Sequence, residues 1–111
     1  MTTTSNLAAL LRNDITDFVV PLQTTGTVDV SIAERLVRHA SALAVALKGD
    51  EHLPRSVLNE IYVTAQIIRR EADHCKAPGL VELAGKLEMV FALILRGECL
   101  EDRQPGVPRV M

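Results

Sequence analysis

Apolar residues recur along this chain with the period of amphipathic helices, and no stretch shows the sustained alternation of a half-buried strand. Four segments carry the pattern. The first runs from Ser5 to Val19, where Leu7, Leu11, Ile15 and Phe18, with Leu22 beyond, share one face. Pro21 disfavours helical geometry at Val20, so the spacing predicts a stop near there, with Leu22 in the exit. A polar connector from Gln23 to Thr27 contains Gly26 and reads as a loop.

The second helix is predicted to begin at Ser31. Ser31 and Glu34 have capping-box spacing, in which the hydroxyl accepts an amide three residues on and the carboxylate reaches back. Asp29 is a competing cap. The apolar face is Ile32, Leu36, Ala40, Leu43 and Leu47, with Glu34 and Arg38 opposite. Lys48 and Gly49 mark the C-terminal stop. The third helix starts near Pro54, a favourable first-turn residue. Its stripe is Leu58, Ile61, Tyr62, Ala65, Ile68, Ala72 and Cys75, and Arg69, Arg70, Glu71 and Asp73 lie mostly outside it. The short break Ala77-Pro78-Gly79 reverses the chain. The fourth helix covers Leu80 to Arg96 with the stripe Leu80, Leu83, Ala84, Leu87, Phe91, Ile94 and Leu95, and stops at Gly97.

The expected fold is therefore all-α: an antiparallel bundle of four helices forming one domain over residues 1–111. Residues 1–4 are expected to be a flexible N-terminus. Residues 98–111, with Pro105, Gly106 and Pro108, are expected to be an extended C-terminal tail whose removal after Arg103 leaves stability nearly intact.

The fourth helix carries more apolar surface than one stripe. Met89 and Leu93 point roughly opposite Leu87, Phe91 and Ile94, so its second half is apolar all round. Such a helix is either central in its own bundle or buried against a second copy. In a small chain little can be enclosed, so the expectation is a homodimer with Met89, Ala92 and Leu93 as its self-association surface. Val45, Val57 and Ile67 are left over from the other stripes and are expected as secondary contacts. On this reading Leu93→Glu yields a folded monomer.

Composition narrows the alternatives. Of 111 residues, 48% are apolar, which excludes a wholly disordered chain. The longest apolar run, Met89 to Leu95, is far short of the roughly 18 residues a membrane span needs. The N-terminal stretch has no basic side chain and leads into no apolar run, unlike a secretory signal. Two cysteines make no disulfide framework, so a cytoplasmic protein with free thiols is expected. Cys75 and Cys99 would sit at opposite ends of a fourth helix about 25 Å long. Cys75 continues a stripe and Cys99 is expected nearer the surface.

Candidate chemistry is sparse. His39 borders the second helix's apolar stripe and His52 lies in a loop. A phosphate-accepting role for His39 would want a Lys-Gly pair closer than Lys48-Gly49 stands. Glu71 and His74 have the i, i+3 spacing of di-iron bundles. His74, however, lies roughly 150° and Glu71 roughly 100° from the centre of its stripe, where ligands should point inward. No catalytic, cofactor or metal site is therefore assigned. The first fifty residues carry four Lys and Arg against five Asp and Glu, and the remainder eight against nine, so neither half is basic. The expected function is a non-catalytic interaction protein, an adaptor, chaperone-like or regulatory protein acting on itself or on another protein. The alternative is a dimeric nucleic-acid-binding regulator that gathers Arg69 and Arg70 from two copies. No membrane partner is expected.

Overall fold

The computed structural model of the protein describes residues 4–75 and 77–99. Among them are four helices and no strand: α1 (Thr4–Thr25), α2 (Val30–Ala46), α3 (Arg55–Cys75) and α4 (Pro78–Arg96). Most of the expected tail, residues 100–111, lies outside the described residues, as does the side chain of Cys75.

Each helix packs against two others, α1 against α2 and α3, and α4 against α3 and α2. Cross-helix bonds fix the directions. Arg35 near the start of α2 reaches Asp17 and Asp14, and His39 one turn further on reaches back to Asp14, so this hairpin is antiparallel. Arg69 on α3 binds Glu88 on α4, and Tyr62 meets Phe91, so the second hairpin is antiparallel too. Between hairpins the neighbours run parallel. Arg12 early in α1 reaches Ser56 and Glu60 early in α3. The N-terminal halves of α2 and α4 share one groove, and their C-terminal ends meet where Gly97 would bring a Cβ to 3.4 Å from the backbone of Gly49. The link over residues 47–54 thus carries the chain across the bundle diagonal.

The core is aliphatic. Leu11, Phe18, Leu22, Leu36, Leu43, Ile61, Ile68, Leu80 and Leu87 are fully enclosed, with Ala40, Ala44, Ala65 and Ala84 where helices come close. Three sequence expectations need correction at element ends. α1 does not stop before Pro21 but runs on to Thr25. Proline removes one amide donor there, while Leu22 becomes fully buried and the Thr24 and Thr25 hydroxyls bond the carbonyls of Val20 and Pro21. α2 is capped by Asp29 rather than Ser31. The Asp29 carboxylate accepts the amides of Ser31 and Ile32, and the Ser31 hydroxyl donates to it as well. Cys99 is buried rather than exposed.

A fourth correction concerns which side of α4 faces in. Val90 and Leu93 are buried, whereas Leu95 is exposed and Phe91 only half-buried. The buried stripe is rotated about 40° toward α2 relative to the one the sequence pattern suggests, taking successive residues as 100° apart. Leu93, at 1% exposure, therefore belongs to the protein's own interior and not to an outward surface. Val57 is buried likewise, and Tyr62 is exposed where the α3 pattern had placed it in the stripe.

Two outcomes follow. Leu93→Ala should cost about 2–5 kcal/mol, the usual range for truncating an enclosed leucine, and Leu93→Glu should cost more. In chemical denaturation the Glu variant should lose its folded state rather than yield a well-folded monomer. The second concerns Asp29, whose carboxylate is held below its ordinary value of 3.8 by the Ile32 amide and the Ser31 hydroxyl. A lowered folded value means that the cap's charge contribution is present above pH 3.8 and fades as pH falls through that lower value. The stability difference between the wild type and Asp29→Ala should therefore narrow on acidification through this range, as read from melting temperatures.

Candidate functional site

Two features stand apart from the aliphatic core. One is a polar cluster in the seam between α1 and α2. Asp14 occupies a core position of α1, on the 4-3-4 spacing Leu7, Leu11, Asp14, Phe18, and its side chain is only 4% exposed. Both carboxylate oxygens are engaged. Oδ1 accepts the Nε–H of Arg35 at 2.7 Å, and Oδ2 is bonded by Nδ1 of His39. Arg35 also reaches Asp17 at 3.5 Å. With Asp14 ionised, Nδ1 of His39 carries the proton and donates it. The cluster is thus a buried carboxylate satisfied by two donors from the facing helix.

The helical pattern alone missed Asp14. The signal was present, since an acid stands where a fourth apolar residue would continue the stripe, and two donors on α2, Arg35 and His39, lie four residues apart on one face.

The second feature is the outward side of α4. Val81, Met89 and Leu95 are 49%, 51% and 56% exposed, and Ala92 is half-buried. Gly85 lies between Val81 and Met89 on the same side, where a Cβ would meet nothing. The surface is flanked by Glu82 and Arg96, both exposed. Of the three expected self-association residues, the structure keeps Met89 and Ala92 on this side and removes Leu93 to the interior. It adds Val81, Gly85 and Leu95. Of the expected secondary contacts, Val45 is exposed, Val57 is buried, and Ile67 is half-buried in a groove between α1 and α3 lined also by Ile15 and Val63. Around the corner from Leu95, Tyr62 and Phe91 pack with ring centroids 5.6 Å apart beside Leu53 and Leu58.

The remaining polar residues are placed as follows. Glu71 is half-buried, and His52 and His74 are exposed. Among the described residues no group of three or more His, Cys, Asp or Glu side chains converges to hold a metal ion. Arg12 is paired with Glu60, Arg35 with Asp14 and Arg69 with Glu88, all across helix seams. The Glu88 hydrogen bond raises the pKa of Arg69 above its ordinary value. Among the described residues no helix is long and apolar enough to cross a membrane. Compared with protein families, curated proteins and solved structures, the chain matches none of them.

The polar cluster gives a stability test. Removing both donors in Arg35→Ala/His39→Ala strands a carboxylate in the interior, which should cost about 3–5 kcal/mol. Adding Asp14→Leu removes the stranded group and should recover most of the loss. Urea titrations of the double and triple variants read this directly. A triple variant no more stable than the double would show that the carboxylate is not what the donors serve.

Proposed function

We propose that the protein is a non-catalytic helical interaction module that works by contact, with self-association through the outer side of α4 as the contact its surface supports best. The observation that carries this reading is the run Val81, Gly85, Met89, Ala92 and Leu95 along one side of α4, with Val81, Met89 and Leu95 about half exposed and Glu88 on the same side drawn toward Arg69. Apolar side chains left half in water gain by association, at about 25 cal/mol for each Å² of apolar surface removed from it. Glycine and alanine within the run leave room for a second backbone to approach.

The long-range polar pairs among the described residues join helices. Asp14 is spent on Arg35 and His39, and Glu88 on Arg69 and Gln66. The same pairs draw Arg12, Arg35 and Arg69 into the seams, so a nucleic-acid-binding role has less basic surface to work with than the sequence offers.

Size-exclusion chromatography with light scattering tests the proposal. The wild type should show twice the 12.1 kDa chain mass, and Met89→Glu should fall toward one chain mass with its helicity unchanged. A charge at position 89 would be trapped in an apolar interface without a partner. A wild type at one chain mass across the accessible concentration range would contradict the proposal.

A further inference from the structure

The outward side of α4 is bounded by opposite charges placed symmetrically. Glu82 and Arg96 stand seven residues before and after Met89, about 10 Å along the axis in each direction. With successive residues about 100° apart, all three fall within about 40° of one line down the helix. Both charged residues are exposed. Among the described residues, neither takes part in a side-chain hydrogen bond or ion pair within the chain.

We infer that the partner for this surface is a second copy docked antiparallel, α4 against α4, with the two-fold axis passing beside Met89. Glu82 of each copy then meets the partner's Arg96. This rests on the self-association reading above and adds its direction and register. A two-fold axis at Met89 reverses the helix, so a residue seven before it faces a residue seven after it. The two ion pairs form together, one at each end of the apolar run. The same axis sets Gly85 within about one residue's rise of the partner's Ala92, so the smallest side chains face each other where the helices come closest. A parallel pairing in register would instead set Glu82 against Glu82 and Arg96 against Arg96. The charges therefore select direction by penalising the wrong arrangement as well as by favouring the right one.

Sedimentation equilibrium of the full chain at low ionic strength, over a concentration series, tests the arrangement. Glu82→Arg alone and Arg96→Glu alone each turn two attractive pairs into two repulsive ones. Each should weaken dimerisation about tenfold, from exposed pairs worth a few-fold apiece. The double variant Glu82→Arg/Arg96→Glu restores both pairs with their signs exchanged and should return to within about threefold of the wild type. Added salt should compress these differences. Circular dichroism checks that each variant keeps its helix content. A wild type that dimerises while both single reversals leave its affinity unchanged would overturn the register and leave self-association standing. So would two weakened singles with no recovery in the double. A wild type that never dimerises would overturn self-association and the register with it.

Discussion

A four-helix domain of this size can cover only so much of each helix, and α4 exceeds that limit. Its inward side, from Leu80 through Leu87 and Val90 to Ile94, is sealed by α2 and α3. Apolar residues continue around the helix to Val81, Met89 and Leu95, which stay about half exposed. The two-by-two arrangement of hairpins leaves every helix with a side in water. On α2 that side carries Glu34 and Arg38 with Val30 and Val45, and on α4 it carries Val81, Met89 and Leu95 beside Glu82, Lys86 and Arg96. Every helix exposes some large apolar residues, and α4 exposes three, Val81, Met89 and Leu95, on which a contact function can be argued.

Hydrophobic burial sets which sides face in but discriminates weakly among helix registers. Here Asp14 contributes a sharper condition. A carboxylate that is almost fully enclosed is tolerated only when donors stand opposite it, because an unpaired charge in the interior costs several kcal/mol. Arg35 and His39 both stand opposite Asp14 in the observed alignment of α1 against α2, so a slip of the two helices would have to break both bonds. Arg12 with Glu60 and Arg69 with Glu88 sit in two further seams, yet they are more exposed and constrain less. The polar pairs across helix seams thus serve alignment, and the apolar residues supply the driving force.

Much of the fold was legible because helical periodicity survives in the sequence of each segment, and because Gly49, Pro54 and Gly97 punctuate the chain where helices begin and end. The failures have separate physical causes. Pro21 does not end α1, since the burial of Leu22 outweighs one lost backbone bond. The orientation of α4 could not be read because a helix with apolar residues on most sides defines its own inward direction poorly. Nothing in the pattern separates Leu93, which is buried, from Leu95, which is exposed. Asp14 escapes a pattern of apolar residues alone, although a charge on the 4-3-4 spacing is itself informative. The outer surface of α4 was half visible: Met89 and Ala92 were identified, and Val81 and Gly85 were not.

The central claim is that the outer side of α4 lies in water in one copy and is covered by another. The chain contains three methionines, at positions 1, 89 and 111, so methyl-labelled methionine gives a probe on that surface together with two near the chain ends. The decisive measurement is the access of a soluble paramagnetic quencher to the Met89 methyl in the unmodified chain, followed by NMR over a dilution series. The account predicts that Met89 is protected at high concentration and becomes accessible on dilution. A Met89 methyl quenched to the same extent at every concentration would contradict it.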